Sequence, residues 1–289
     1  MKTKAYTINA FAKTAQGGNP AGVVFDADSL SDEEMKHIAA AIGFSETAFV
    51  SHSAVADFKL RFFTPTEEVD LCGHATIGTF FAMFTLGQIK PGSYTQETKA
   101  GLLAIDIDSE GFVMMEQSAP VFSEIVPNDT IAHSLGIDPA QICTDLPAQV
   151  VSTGLRDIII PVQNRMVLNT LQPDMRQIAQ ISRRFHTVGY HVFYMESTAH
   201  CTATCRNFAP LYGIPEEAAT GTSNGALACY LYHYGKLGPT KQVNMTFSQG
   251  DTMKRPSEIR ARLTISKNRI SAVRVGGCAM DLKLIEVET

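Results

Sequence analysis

One five-residue pattern occurs twice, half a chain apart. Residues 61–65 and 206–210 both read Arg-x-Phe-x-Pro in a sequence of 289 residues. A glycine-led cluster of small residues follows each copy, at residues 73–76 and at residues 220–223. A helix that starts at glycine presents free N–H groups to an anion. The repeat therefore predicts a duplicated fold with two such helix starts and one site between the halves.

An apolar run with helical spacing follows each glycine cluster. Positions i, i+3, i+4 and i+7 are apolar in both runs, which predicts an amphipathic helix with one buried face. These positions are Ile77, Phe80, Phe81 and Phe84 in the first half, and Leu227, Tyr230, Leu231 and Tyr234 in the second.

The order of predicted elements repeats as well. The first half reads strand, strand, helix, strand, strand. Its first helix is opened by the capping box Ser31-x-x-Glu34 and closed at Gly43. Strands near residues 158–162 and 190–195 flank a second helix that begins at Pro173-Asp174. This order is typical of an α+β fold and not of a Rossmann sheet, and no glycine-rich nucleotide loop is present.

Composition excludes several classes of function. The net charge of −5 and the absence of a basic stretch argue against nucleic-acid binding. No run of about 18 apolar residues is present, so we expect no membrane span and a soluble, cytoplasmic protein. The six cysteines and eight histidines are scattered without ligand-pair spacing, so we expect reduced thiols and no metal.

Glu46 is the strongest candidate for acid–base chemistry. It lies between an apolar helix and the apolar stretch Ala48-Phe49-Val50. A carboxyl group partly removed from water there suits proton transfer near neutral pH. A solvated loop glutamate is the alternative.

His74 belongs to the first turn of its predicted helix. Its ring could donate or accept one hydrogen bond there, although a lone histidine is usually a surface or satisfied core residue. The N–H groups of residues 73–76 and 221–224 are suited to holding a carboxylate or a developing enolate. Thr222, Ser223 and Asn224 could add donors, or serve only as helix caps.

Glu217 and Cys72 leave further alternatives open. Glu216 and Glu217 precede the second helix, where acidic residues most often interact with the helix dipole. Glu217 could instead share a cleft with Glu46. Cys72 could act as a thiolate base, but a two-thiol racemase needs a second cysteine where this chain has Thr220.

The chain resembles the PhzF-like family of phenazine biosynthesis, which has the two-domain fold of diaminopimelate epimerase. The most specific matching segment is Leu-Cys-Gly-His-Ala-Thr at residues 71–76, shortly after Phe-Thr-Pro. Other matching segments span almost the whole chain: residues 18–21, 45–50, 61–65, 216–224, 255–257 and 276–277.

The resemblance implies two pseudo-symmetric lobes, each a curved mixed sheet or barrel around a central helix. The expected lobes are residues 1–118 with 278–289, and residues 119–277. It also implies a homodimer that uses no cofactor and binds a small carboxylate substrate. Glu46 would be the acid/base, with His74 and Glu217 as partners. The implied substrate-binding residues are Asn19, Gly73, Thr220, Gly221 and Thr222.

Three of these positions depart from the family pattern: Glu217 stands for aspartate, Ala218 for proline and Thr222 for serine. The first functional hypothesis is a cofactor-independent isomerase that moves a proton by means of Glu46. The alternative is a non-catalytic ligand-binding or regulatory protein that keeps the cleft. A racemase using Cys72 with Glu46 is a third hypothesis.

Overall fold

The computed structural model describes residues 2–198, 200–238 and 240–288. The chain forms two compact units, residues 1–116 with 276–289 and residues 117–275. We call them the first and the second unit.

The first unit contains a mixed sheet and two helices, and its elements up to the crossover are as follows: β1 (Lys2–Ala10), β2 (Asn19–Val24), α1 (Asp32–Ile42), β3 (Thr47–Ser51), β4 (Phe58–Phe63), β5 (Glu68–Val69), α2 (Gly73–Thr85), β6 (Gly92–Thr98), β7 (Gly101–Ile107) and β8 (Val113–Gln117).

The second unit follows with nine strands and four helices among the described residues: β9 (Val121–Ile125), α3 (Asn128–Leu135), β10 (Gln149–Ser152), β11 (Arg156–Pro161), α4 (Arg165–Thr170), α5 (Met175–Phe185), β12 (Gly189–Thr198), β13 (Cys201–Ala209), β14 (Ile214–Glu217), α6 (Gly221–His233), β15 (Gln242–Gln249), β16 (Ser257–Ser266) and β17 (Arg269–Gly277). The last strand, β18 (Ala279–Glu288), returns to the first unit.

The two units share one strand-pairing scheme. In the first unit β18, β1 and β2 pair antiparallel, β2 and β3 parallel, β3 and β4 antiparallel, β4 and β6 parallel, and β6 and β7 antiparallel. In the second unit β9, β10 and β11 pair antiparallel. β11 and β12 then pair parallel, β12 and β13 antiparallel, β13 and β15 parallel, and β15 and β16 antiparallel. The short strands β5 and β14 pair antiparallel with β4 and β13.

The duplication and the α+β class predicted from the sequence are confirmed. The strands form a mixed sheet that is open, so the barrel alternative is wrong.

The predicted helix boundaries follow from local chemistry. Ser31 and Glu34 form the capping box of α1, and Gly43 ends that helix with a positive φ of 76°. Asp174 accepts hydrogen bonds from the first N–H groups of α5. These interactions are local in sequence, which is why the pattern predicted them.

The prediction that α2 and α6 each bury one face is wrong. The two helices are buried on nearly every side, and in α6 every residue from Gly221 to Leu231 is buried. Small residues allow this close packing: a side chain at Gly78 would approach Ile8 Cγ2 to 2.8 Å. Apolar spacing marks the largest side chains of such a helix and not the limits of its buried surface.

The repeated arginine forms the same ion pair in both units. Arg61 makes two 2.8 Å hydrogen bonds to Glu68, and Arg206 makes two 2.8 Å hydrogen bonds to Glu216. Each guanidinium also lies over the phenylalanine two residues later, with 5.0 Å from Arg61 to the Phe63 ring centroid. The arginine–glutamate pair thus joins β4 to β5 and β13 to β14, directly before each central helix.

The Arg61 guanidinium holds the pKa of Glu68 down at about 2, although partial burial opposes this effect. Glu216 makes the equivalent two hydrogen bonds to Arg206, so it is better described as the partner of that arginine than as a group that interacts with the helix dipole.

We predict that Glu216→Gln destabilises the chain by about 2–3 kcal/mol. The change leaves the Arg206 guanidinium, 10% exposed, without its carboxylate. Urea unfolding measures the loss. Glu258→Gln is the control, because its ion pair with Arg260 is exposed and we expect about 0.5 kcal/mol or less. Equal losses in the two variants would contradict a structural role for the Arg206–Glu216 pair.

Candidate active site

Glu46 lies in the short connection between α1 and β3. Its backbone carbonyl accepts a hydrogen bond from Gly22 N at 3.1 Å, which fixes the connection against β2. Its side chain is 16% exposed, and Oε2 is buried with no hydrogen-bond partner. Glu46 is therefore not the solvated loop glutamate of the alternative reading. A buried carboxylate oxygen without a partner carries a free-energy cost that a bound ligand or proton could remove.

His74 lies beside the Glu46 carboxylate. Its Nε2 is 3.3 Å from Glu46 Oε2, within ion-pair distance but without the alignment of a hydrogen bond. His74 is buried in the first turn of α2, and its Nδ1 lies 3.4 Å from Cys72 Sγ. The structure thus brings the two residues predicted from the sequence together.

The start of α2 is free of a side-chain cap. Its N-cap residue is Cys72, which makes no capping hydrogen bond. A Cβ added at Gly73 would meet only Met115 Cε, at an ordinary 3.5 Å. Gly73 is therefore not required by tight packing, and its lack of a side chain leaves space over the first N–H groups of the helix.

Asn19 opens β2 in the same unit and is 6% exposed. β2 runs parallel to β3, with Gly22 paired to Thr47. Asn19 lies three residues before Gly22 in β2, and Glu46 lies directly before Thr47 in β3. Because the two strands are parallel, Asn19 and Glu46 lie at the same end of the sheet. Its assignment to substrate binding stays a prediction.

Glu217, Thr220, Gly221 and Thr222 lie at the start of α6 in the second unit. Thr220 Oγ1 donates a 2.7 Å hydrogen bond to Glu217 Oε2, and Gln249 Nε2 donates to the Glu217 carbonyl at 2.8 Å. Thr222 is buried, and its carbonyl accepts from Thr153 Oγ1. Neither Thr220 nor Thr222 caps the helix through its side chain. These contacts hold the Glu217 carboxylate in one position beside the helix start.

A buried polar network that the sequence did not reveal lies behind this helix start. Ser223 Oγ donates to Asp157 Oδ2 at 2.5 Å, and Asn207 Nδ2 donates to Ser223 Oγ at 3.1 Å. Asn207 also lies 3.3 Å from His191 Nδ1, and His191 Nε2 lies 3.3 Å from Asn224 Oδ1. The N-capping alternative for Ser223 and Asn224 is therefore wrong, since both bond deeper in the fold.

The sequence offered little signal for this network. Asp157 stands at the edge of an apolar strand, and Asn207 occupies the variable position of the Arg-x-Phe-x-Pro pattern. Strand register brings them together, because β11, β12 and β13 are neighbours in the sheet.

Burial shifts the two titratable groups of this network in opposite directions. Burial raises the pKa of Asp157 to about 6, with the Ser223 hydroxyl opposing and the Glu217 charge adding to the rise. Burial lowers the pKa of His191 to about 4, with the hydrogen bond to Asn224 opposing. Both shifts favour the uncharged form, as expected where water is excluded.

We predict that Asp157→Asn removes a pH-dependent loss of stability. The folded-state pKa is raised, so the contribution of Asp157 is complete below about pH 4 and is lost as the pH rises through 6. As the pH rises from 4 to 7, the free energy of unfolding of the variant should increase by up to roughly 3 kcal/mol relative to that of the unmodified chain. Urea unfolding across this range measures the difference.

The exposed Asp145 supplies the control for that measurement. Asp145→Asn should leave the pH profile unchanged within about 0.5 kcal/mol. If the stability curves of Asp157→Asn and the unmodified chain ran parallel from pH 4 to pH 7, the explanation through burial of Asp157 would be wrong.

Glu46 has no equivalent in the second unit. Thr47 pairs with Phe63, and Tyr190 pairs with Phe208, the corresponding phenylalanine of the repeat. The residue before Tyr190 is Gly189, where an added Cβ would lie 1.9 Å from the Phe208 carbonyl oxygen. No side chain fits there. At these equivalent positions the first unit has Glu46 and the second has Gly189, and the equivalent of Cys72 is Thr220.

Three side chains near the start of α2 also have the chemistry of metal ligands. Ligand atoms of Glu46, Cys72 and His74 all lie within 4.8 Å of one another, the one such group of three within the described ranges. Spacing rules missed it because Glu46 is far from Cys72 and His74 in sequence and is brought to them by β3.

The family model described as "Phenazine biosynthesis-like protein" (PhzC-PhzF) matches residues 8–283. The chain belongs to this family. The resemblance seen in residues 71–76 is therefore confirmed over nearly the whole chain.

Two curated relatives are informative. The "Uncharacterized isomerase YddE" of Escherichia coli K12 is 32% identical, over 98% of this chain and 97% of that protein. The "Trans-2,3-dihydro-3-hydroxyanthranilate isomerase" of Pseudomonas chlororaphis is 30% identical, over 93% and 94%. The enzyme class predicted from the sequence, an isomerase, is confirmed by these relatives.

Solved structures agree with the fold. The Bacillus anthracis phenazine biosynthesis protein of the PhzF family is 31% identical, covers 100% of both chains and superposes with a TM-score of 0.93. A hydroxyproline epimerase from Agrobacterium vitis is 12% identical, covers 99% of this chain and 92% of its own, and superposes with a TM-score of 0.67, which shows the fold alone. The predicted epimerase-like architecture is confirmed.

Among the described residues, no helix is long and apolar enough to cross a membrane.

Proposed function

We propose that this chain is a cofactor-independent isomerase that moves a proton on a small carboxylated substrate, with Glu46 as the general acid/base. One observation carries the proposal. The Glu46 carboxylate is largely buried, its Oε2 has no hydrogen-bond partner, and His74 Nε2 lies 3.3 Å away. A largely buried carboxylate with one oxygen that makes no hydrogen bond is suited to exchange a proton with a bound molecule.

The chemistry needs no redox partner. Glu46 takes a proton from a carbon next to a carbon–carbon double bond, and the electron pair of the broken C–H bond delocalises through that double bond. Protonated Glu46 then returns the proton to a second carbon of the same system. The double bond shifts, and the substrate and product have the same atoms.

The N-terminus of α2 is proposed to stabilise the charge that develops. The first N–H groups of a helix stabilise an enolate or carboxylate oxygen, and the absence of a side chain at Gly73 allows close approach. His74 is proposed to hold the substrate and the Glu46 carboxylate in register. Asn19, Glu217, Thr220, Gly221 and Thr222 are proposed to bind substrate on the basis of family resemblance.

The missing counterpart of Glu46 favours isomerisation over two-base racemisation. A racemase takes a proton from one face and supplies it on the other, which needs two groups. Gly189 excludes a second carboxylate at the equivalent position, and Thr220 replaces a second thiol. The residues therefore favour one group that both removes and returns the proton.

Cys72 keeps a racemase as a second candidate. Its thiol lies in the same group of ligand atoms as Glu46 and could act as the opposing base. Alkylation of Cys72 in the folded protein tests this. Turnover that survives complete modification would exclude the thiol from the reaction.

We predict that Glu46→Gln lowers proton exchange by about 10²–10⁴-fold, because the amide cannot take up and release a proton. The measurement is deuterium uptake from D₂O by NMR, over a panel of small carboxylic acids with an acidic C–H bond. The panel includes trans-2,3-dihydro-3-hydroxyanthranilate, on which the Pseudomonas chlororaphis relative is named to act. Ligand affinity should change by less than about threefold, since the side chain keeps its shape.

Glu67→Gln is the matched control, because Glu67 is an exposed glutamate of the same unit. It should exchange at the rate of the unmodified chain. Undiminished exchange in Glu46→Gln would rule out Glu46 as the proton carrier. Exchange with no acid of the panel, together with measurable binding, would favour the non-catalytic ligand-binding protein.

The cellular setting is also proposed. We infer a cytoplasmic homodimer that works without a cofactor, from the composition and the family resemblance. Light scattering coupled to gel filtration measures the mass of the assembly, and a monomer at working concentration would contradict the dimer.

A further inference from the structure

Glu46, Cys72 and His74 form a group in which two ligand-to-ligand distances are close to those of a tetrahedral metal site, and all three ligand atoms lie within 4.8 Å of one another. His74 Nε2 lies 3.3 Å from Glu46 Oε2 and 3.8 Å from Cys72 Sγ. Ligand bonds to Zn²⁺ of about 2.0–2.3 Å give tetrahedral edges of about 3.4 Å between nitrogen and oxygen and about 3.6 Å between nitrogen and sulfur. The two observed distances match these edges within a few tenths of an ångström.

A second observation is independent of the distances. Glu46 Oε2 is buried and has no hydrogen-bond partner. Cys72 and His74 are each only 6% exposed. A cation bound at this point would satisfy the buried carboxylate oxygen, which the protein alone leaves unsatisfied. Three protein ligands would leave the fourth position of a tetrahedron for water or a substrate carboxylate.

The ligand set selects the type of cation. Thiolate and imidazole favour Zn²⁺ and similar metals, whereas Mg²⁺ and Ca²⁺ favour oxygen ligands. The start of α2 opposes any cation through the helix dipole, at a cost of about 0.3–1 kcal/mol. That cost is small beside the roughly 10–16 kcal/mol of a structural zinc site. It weakens the site without abolishing it.

We propose that Glu46, Cys72 and His74 bind one thiophilic divalent cation, with Zn²⁺ as the preferred ion, and that the bound ion inhibits the enzyme. A metal on the Glu46 carboxylate occupies the oxygen that would take up the substrate proton. The binding is independent of the reaction, and only the inhibition rests on the proposed function. The sequence prediction of no metal considered only ligands close together along the chain.

Cobalt titration of the chelator-treated, full-length protein tests the binding. We expect one equivalent of Co²⁺ to bind, with a thiolate-to-cobalt charge-transfer band in the near ultraviolet. Cys72→Ser should abolish the band, and Glu46→Gln and His74→Gln should each weaken binding at least about tenfold. Cys201→Ser is the control. Cys201 belongs to the second unit and is not part of the group formed by Glu46, Cys72 and His74. Burial also raises the pKa of its thiol, which disfavours the thiolate that binds metal. The cobalt band should therefore persist in Cys201→Ser.

Several results would overturn the site. These are the absence of the band in the unmodified protein, a band that survives in folded Cys72→Ser, or unchanged binding in both Glu46→Gln and His74→Gln. Circular dichroism verifies folding of each variant. The two variants Glu46→Gln and His74→Gln keep the test decisive if Cys72→Ser does not fold.

The inhibition is measured on the same preparation. Zn²⁺ should suppress deuterium exchange at least about tenfold, and EDTA should restore it. Exchange that is insensitive to Zn²⁺ despite the cobalt band, or that is lost on adding EDTA, would overturn the inhibitory role. Absence of exchange under all conditions would contradict the proposed function, while the cobalt result would still decide the metal site.

Discussion

Each unit depends on one bidentate arginine–glutamate ion pair. Arg61 with Glu68, and Arg206 with Glu216, join the strand that carries the repeated motif to the short strand before the central helix. Each guanidinium also lies over the aromatic ring of the phenylalanine two residues later. A lysine could not make both hydrogen bonds and the stacking contact at once. The ion pair therefore holds in place the short strand that precedes each glycine-led helix, β5 before α2 and β14 before α6.

The same frame supports different chemistry in the two units. In the first, the connection before β3 carries Glu46, a carboxylate with a buried, unpartnered oxygen. In the second, the equivalent position is Gly189, because the Phe208 backbone leaves no room for a side chain. The polar groups of the second unit are instead joined in a hydrogen-bonded network behind α6, where burial raises the pKa of Asp157 and lowers the pKa of His191. The first unit thus carries the proposed acid/base, and the second carries a hydrogen-bonded network that supports the start of α6.

The features that suit Glu46 to proton transfer also make it a potential metal ligand. A carboxylate kept from water and placed beside an imidazole and a thiol can bind a proton or a thiophilic cation, but not both at the same oxygen. An enzyme of this design would need to keep its site free of such ions in order to turn over. This competition arises from the short distances among Glu46, Cys72 and His74, and not from any one of them alone.

The sequence by itself determined the duplication, the α+β class, both ends of α1 and the start of α5, because repeated motifs and helix caps involve residues close together along the chain. The family resemblance also singled out Glu46 and His74. Only the tertiary structure decided that Glu216 is the partner of Arg206, and that Asp157, Asn207 and His191 share one buried network. It also decided that Cys72 joins Glu46 and His74. These contacts join parts of the chain that are far apart in sequence, so they follow from strand pairing and packing, which no local pattern encodes.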